Sequence, residues 1–149
     1  MTNMLAVPAG KIKIVLIDDD DVDAMGIERS LSKLTFVDEI VRGTDGHEAL
    51  DILLHTDVTK HPYLILLDLN MPRMNGLELL EKMREHPLLL SSVVFVLSTS
   101  NDQHDMLAAY QKNIAGFIVK DKFKRGYQPL IDLLTSYYQL VDLPALQTL

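Results

Sequence analysis

The stretch IKIVLIDDDDVDAM runs from Ile12 to Met25. Its first half is almost wholly apolar and alternates little between apolar and polar. That is how a strand covered on both faces reads, as in a parallel sheet. The apolar run, Ile12–Ile17, ends in four consecutive aspartates, Asp18 to Asp21, with Asp23 close behind. Crowded like charges are unfavourable. Their place at the end of a buried strand therefore asks for a reason.

Three further runs have the character of Ile12–Ile17: Leu64–Leu67, Val93–Leu97 and Phe117–Val119. Glu39–Val41 is a weaker strand candidate. Helical periodicity fills the intervals. Asp23–Leu34 carries Ile27, Leu31 and Leu34 on one stripe, and Gly46–Leu54 carries Ala49, Leu50, Leu53 and Leu54. Gly76–Arg84 carries Leu77, Leu80 and Met83, and Asp102–Lys112 carries Met106, Ala109 and Tyr110. A last helix covers Gln128 to Val141, before Pro144. Strand and helix alternate five times, which predicts a single doubly wound α/β domain with helices on both faces of a five-stranded parallel sheet.

Composition narrows the function classes. A chain of 149 residues, 48% hydrophobic, suits one folded domain with a proper core. The net charge of -7 argues against nucleic acid as a direct partner, because a polyanion needs a basic surface. The absence of cysteine excludes a disulfide framework and a thiolate metal site, and agrees with a cytoplasmic location. No apolar run approaches the roughly 20 residues that span a bilayer. MTNMLAVPAG, residues 1–10, lacks the pattern of a secretory signal and reads as a short extension. The domain proper is expected over 11–142, with 143–149 as a tail.

In such sheets functional groups gather at the carboxyl ends of the strands. There the sequence offers Asp18 and Asp19, then Asp68, Ser98 and Lys120. Clustered carboxylates need a cation between them, and an all-oxygen set suits Mg²⁺ or Mn²⁺ better than Zn²⁺. Asp19 and Asp68 are candidate direct ligands, with Asp18 acting mainly through water. A carboxylate beside such a cation can also be a nucleophile and form an aspartyl phosphate. Lys120 brings positive charge and Ser98 a hydrogen-bond donor for the phosphoryl oxygens.

Each residue also has a plainer reading. An aspartate after a strand often caps the next helix, and Asp20 or Asp21 fits that role. Ser98 could be a capping signal, although Asn101 is better placed for it. A single strand-end lysine is usually solvated. The joint placement of these groups at the strand ends favours a functional site.

These residues resemble the receiver domain of bacterial two-component response regulators, over nearly the whole chain. DLNMPRMNGLELL, Asp68 to Leu80, is similar to the pattern around that family's phosphoacceptor. The acidic pair Asp18–Asp19, the serine at 98 and the lysine at 120 complete the signature, and the spacings from Asp68 to Ser98 to Lys120 are the family's. The resemblance implies a (βα)5 flavodoxin-like fold with strand order 2-1-3-4-5. It implies phosphorylation of Asp68 by a histidine kinase or histidine phosphotransfer protein. It implies metal binding by Asp18, Asp19, Asp68 and the backbone carbonyl of Asn70. Ser98 and Lys120 would contact the phosphoryl group, and Ser98 and Phe117 would form the switch pair. Pro72 and Gly76 match the family's loop after the phosphoacceptor; Pro72 restricts Met71 to extended geometry and Gly76 permits a turn.

Two positions depart from the pattern. Asp121 follows Lys120 where many receivers have proline, and Phe117 cannot hydrogen-bond as a tyrosine would. No effector domain follows the last helix, so a stand-alone receiver is expected, signalling to a downstream protein target through a changed surface. LSTS, Leu97 to Ser100, and YYQLVDLP, Tyr137 to Pro144, resemble stand-alone regulators associated with phytochrome-type kinases.

The last helix carries more apolar surface than a core needs. At about 100° per residue, Leu130, Ile131, Leu133, Leu134, Tyr137, Tyr138, Leu140 and Val141 spread over about half its circumference, against the roughly 100° stripe that suffices. Either the tail folds back over the excess, or it is a partner face, with a homodimer through the last two helices as one form. KDKFKR, Lys120 to Arg125, reads as a solvated loop apart from Lys120.

Three other functions share parts of this pattern. A haloacid-dehalogenase-type phosphatase needs an acid two residues after its nucleophile, and Asn70 stands there. A nucleotide or flavin module needs a glycine-rich phosphate loop, and acidic residues follow the first strand instead. A pseudo-receiver that only docks would not need Asp19, Asp68, Ser98 and Lys120 together.

Overall fold

The apolar runs become strands in the computed structural model, which describes residues 10–99 and 102–145. They are β1 (Ile12–Ile17), β2 (Val37–Gly43), β3 (Tyr63–Asp68), β4 (Val94–Ser98) and β5 (Gly116–Val119). All pair in parallel, in the order β2-β1-β3-β4-β5. The helices are α1 (Asp21–Leu31), α2 (Gly46–His55), α3 (Gly76–Glu85), α4 (Gln103–Gln111) and α5 (Gln128–Leu140), with short 3₁₀ turns at Val58–Lys60 and Lys120–Phe123. The expected doubly wound fold and strand order are both present. Most of the N-terminal extension, residues 1–9, lies outside the described residues, as do Ser100, Asn101 and 146–149 of the tail.

Two cores lie on opposite faces of the sheet, and the strands feed them alternately. Val15, Ile17, Ile65, Leu67, Val94 and Val96 face α2, α3 and α4. Ile14, Leu16, Leu64, Leu66, Phe95 and Leu97 face α1 and α5. This is the period-2 pleat of a strand buried on both sides, and every residue of β3 is buried. It explains why the central strands read as unbroken apolar runs.

Capping sets the helix starts. Asp20 caps α1, its carboxylate accepting from the Asp23 N–H at 3.0 Å. This resolves the choice between Asp20 and Asp21. It also starts the helix at Asp21 rather than Asp23. The helix ends at Leu31, and Leu34 falls in a turn where its N–H donates to the Leu31 carbonyl. Asp45 caps α2, and Asn75 forms a capping box with Glu78 on α3. Asp102 caps α4. Each such cap contributes about 1 kcal/mol. The capping expected of Asn101 lies outside the described residues.

Two local expectations are corrected. Gly76 is not a turn glycine but the first residue of α3. A Cβ there would sit 2.6 Å from the Asp68 carbonyl oxygen and 2.7 Å from Leu69 Cα, so glycine is needed for close approach. The left-handed residue of that loop is Arg73, with φ of 64°. The KDKFKR segment is not a simple solvated loop, because Phe123 is buried in the second core.

The apolar girth of α5 divides. Leu130 and Leu134 are buried, and Tyr137 and Tyr138 pack inward. Tyr138 stacks on Phe36 with centroids 4.2 Å apart, and Tyr137 meets Phe95 edge-on at 5.1 Å. Leu143 of the tail folds against the same core. Leu133, Leu140 and Val141 stay exposed, as do Leu107 and Tyr110 on α4. The partner-face reading is thus narrowed to these residues.

Candidate phosphoacceptor and metal site

Asp18, directly after β1, and Asp68, the last residue of β3, meet at the carboxyl edge of the sheet because β1 and β3 are paired neighbours. Both are buried, whereas Asp19 is exposed. Each of the three offers a carboxylate oxygen, and these oxygens lie within 4.8 Å of one another. Ser98 ends β4 beside Asp68 in sheet order and is also buried.

Lys120 follows β5 and is 4% exposed. Its Nζ lies 2.8 Å from Asp18 Oδ2, 2.8 Å from Asp23 Oδ2 and 4.0 Å from Asp68 Oδ2. A strand-end lysine this buried is no solvated charge. Burial, the largest single influence, would lower its pKa, but the hydrogen bonds to Asp18 and Asp23 together with the charges of Asp18 and Asp68 outweigh it and hold the value above that of an ordinary lysine.

Asp68 also shifts upward, which in a carboxyl group favours the neutral form. Burial raises its carboxyl to about 7, and Asp18 and Asp19 add to the rise, while Lys120 and the Asn70 N–H oppose it. The Asn70 N–H donates to Asp68 Oδ1 at 3.2 Å. Asn70 itself is exposed beside the cluster. It lines an open cleft of about 400 Å³ with Asp19, Met71, Pro72 and Asp105.

Phe117, on edge strand β5, is half-buried and packs against the first core. Its backbone N–H donates to the Tyr110 hydroxyl of α4 at 3.2 Å. The Lys120–Asp121 peptide is trans.

Two residues at the site had no motif to announce them. Asp23 is one, and only its place in the acidic run hinted at it. Arg42 is the other. Its Nε and Nη2 donate to the Asp18 carbonyl at 3.1 and 2.9 Å, and Nη2 pairs with Asp21 at 2.8 Å. Arg42 stands on β2, opposite Leu16, and nothing in the local sequence points from it to the acidic pair.

The family model of the response regulator receiver domain matches residues 14–127. The chain belongs to the response regulator receiver family. Receiver domains are signalling proteins, and they take a divalent metal at an acidic pocket. The nitrate/nitrite response regulator protein NarL of Escherichia coli (strain K12) is 36% identical over 108 residues, which is 72% of this chain and 47% of NarL. The chain thus spans about half the length of that relative. Response regulator Rcp1 of Synechocystis sp. is 29% identical over 136 residues, 89% of this chain and 92% of Rcp1. Its Mn²⁺-bound structure superposes with a TM-score of 0.72 over 90% of this chain and 99% of that one, at 28% identity. The phosphorylated cyanobacterial phytochrome response regulator RcpA gives a TM-score of 0.79 at 29% identity, over 91% of this chain and 100% of that one.

The donor set fits a hard divalent cation. Three carboxylates within reach of one another, with no sulfur or imidazole among them, are suited to Mg²⁺ or Mn²⁺. Among the described residues no helix is long and apolar enough to cross a membrane.

Proposed function

We propose that this chain is a single-domain response regulator that accepts a phosphoryl group on Asp68 and signals by changing a protein-binding surface. The observation that carries this reading is the cluster of Asp18, Asp19 and Asp68 with the Lys120 ammonium 4.0 Å from Asp68. It supplies a nucleophile, a cation pocket and a positive charge at one edge of the sheet.

Mg²⁺ or Mn²⁺ would be held by Asp19 and Asp68, by Asp18 through water, and by the Asn70 carbonyl. When bound, it supplies the positive charge that neutralises the phosphoryl oxygens. Asp68 must be ionised to attack, and burial opposes that. One Asp68 oxygen forms the new O–P bond as the donor's P–N bond breaks. The donor imidazole leaves with the bonding pair and takes up a proton. Lys120 balances the added charge, and the Ser98 hydroxyl donates to a phosphoryl oxygen.

The donor is a histidine kinase or histidine phosphotransfer protein. RcpA is by its name a phytochrome response regulator, so a phytochrome-type kinase is the first donor to try. Ser98 and Phe117 form the switch, and Phe117 reaches α4 through Tyr110. The exposed residues Leu107, Tyr110, Leu133 and Leu140 then make the readout surface, for a downstream protein or for a homodimer through α4 and α5.

Intact-mass measurement tests the assignment. Acetyl phosphate with Mg²⁺ should add one base-labile phosphoryl group, and Asp68→Asn should abolish it. Equal labelling of that variant would overturn the reading.

A further inference from the structure

Asp23 has no part in the phosphoacceptor reading, yet it holds the Lys120 ammonium as closely as Asp18 does, at 2.8 Å. We propose that Asp23 is a positioning residue that competes with the phosphoryl group on Asp68 for Lys120. The inference rests on the phosphoacceptor reading of Asp68.

The two anchors of Lys120 differ. Asp18 is fully buried, and its other oxygen accepts from the Asp20 N–H at 2.9 Å. It has nowhere to go. Asp23 lies in the first turn of α1, and its side chain is 37% exposed. Its backbone is fixed, since its N–H donates to the capping Asp20 carboxylate. Its carboxylate, however, borders an open cleft shared with Thr99, Lys120, Lys124 and Tyr127. Water can replace Lys120 at Asp23 but not at buried Asp18.

The geometry sets the direction of the effect. An ammonium has three donors. In the resting protein two serve Asp18 and Asp23, on the α1 side, and Asp68 is left at 4.0 Å. A phosphoryl group on Asp68 brings more negative charge than the carboxylate it replaces. Lys120 then turns towards it, and the more exposed partner gives way. The Asp23–Lys120 pair therefore stabilises the unphosphorylated state. Removing the Asp23 charge should favour the phosphorylated one.

The test uses the full chain with saturating Mg²⁺ and beryllofluoride, a phosphoryl mimic, titrated by amide NMR shifts. Asp23→Asn should bind the mimic about threefold to tenfold tighter, the range expected from coupling within one ion-pair network. Asp23→Glu should stay near the parent value, because it restores the charge. Asp21→Asn serves as the control, since Asp21 pairs with Arg42 rather than Lys120. The Lys120 ε-methylene resonances should move in Asp23→Asn and not in Asp21→Asn. Unchanged or weaker binding by Asp23→Asn overturns the proposal. So does equal tightening by Asp21→Asn, which would reflect net charge alone. Failure of the parent chain to bind the mimic, or binding by Asp68→Asn equal to the parent's, would instead overturn the phosphoacceptor reading beneath it.

Discussion

The guanidinium of Arg42 donates two hydrogen bonds to the backbone carbonyl of Asp18, from Nε at 3.1 Å and Nη2 at 2.9 Å. A residue on an edge strand thereby fixes the loop that carries half of the acidic cluster. The Asp18 N–H also donates to Gly43, the next residue on that strand, at 3.0 Å. Asp18 is thus held by β2 through its backbone, while its carboxylate faces the site and accepts from the Asp20 N–H and Lys120.

Arg42→Ala should loosen that loop. Hydrogen bonds from charged donors contribute about 1.5–3 kcal/mol when lost from a buried acceptor. Partial solvent access here reduces the expected loss to about 1–2 kcal/mol of folding stability. Mg²⁺ affinity should fall several-fold in the same variant. Arg42→Lys should not restore it, because an ammonium cannot make the planar fork. Urea unfolding and isothermal titration with Mg²⁺ check both parts. Unchanged metal affinity in Arg42→Ala would show that the loop holds its shape alone.

Asp68 links stability to pH and to the cation. Its carboxyl is raised to about 7 in the folded chain, chiefly by burial, against about 3.9 for an unperturbed aspartate. Between those values the folded state binds more protons than the unfolded one. Stability should therefore fall as pH rises from about 4 to about 7, and level off above that. With a chelator present, Asp68→Asn should remove most of this slope and raise the midpoint of thermal unfolding by several degrees at pH 8. Mg²⁺ should stabilise the parent at pH 8 and leave the variant nearly unmoved. Thermal unfolding at pH 5 and pH 8, with and without Mg²⁺, is the measurement. A variant no more stable than the parent at pH 8 would contradict the sign.

How far the sequence disclosed this site depends on what each residue contacts. Asp18, Asp19, Asp68, Ser98 and Lys120 are legible because a parallel sheet brings strand ends together, and each ends or follows an apolar run. The order of the strands came from resemblance; periodicity alone does not give it. Arg42 was not legible, because its partner is a backbone carbonyl across a strand pair and leaves no trace in side-chain pattern. Asp23 was hidden among neighbouring aspartates, since only the phase of α1, set by the Asp20 cap, turns it towards Lys120. At Gly76 the sequence suggests conformational freedom, whereas the constraint is space beside Asp68.

That space gives a prediction opposed to helix propensity. Alanine is favoured over glycine in a helix by up to about 1 kcal/mol. At Gly76, however, the new Cβ would press on the Asp68 carbonyl oxygen at 2.6 Å and on Leu69 Cα at 2.7 Å. Both are backbone atoms, and the Gly76 N–H is tied to the Leu69 carbonyl at 3.0 Å. Relief requires a shift of the Asp68–Leu69 backbone or of the start of α3. Gly76→Ala should therefore destabilise by about 1–3 kcal/mol, as overpacking does, and slow acetyl phosphate labelling. Chemical denaturation and labelling rate check the two effects. A stabilised Gly76→Ala would show that the loop gives way without strain.

The last prediction concerns the route from the site to the surface. The Tyr110 hydroxyl accepts from the Phe117 N–H at 3.2 Å, joining the end of α4 to edge strand β5. Tyr110 is 47% exposed, so a partner on α4 could touch it directly. Tyr110→Phe keeps the ring and deletes the acceptor. Stability should drop by only about 1 kcal/mol. Amide exchange at Phe117 should accelerate about fivefold, the factor that such a loss implies if local opening limits exchange. Exchange in the buried strand β3 should change only as far as global stability does. Hydrogen-exchange mass spectrometry resolved to β5 tests this. Unchanged protection at Phe117 would mean that α4 and β5 are joined by packing alone, and that a partner on Tyr110 has no hydrogen-bonded path to Phe117.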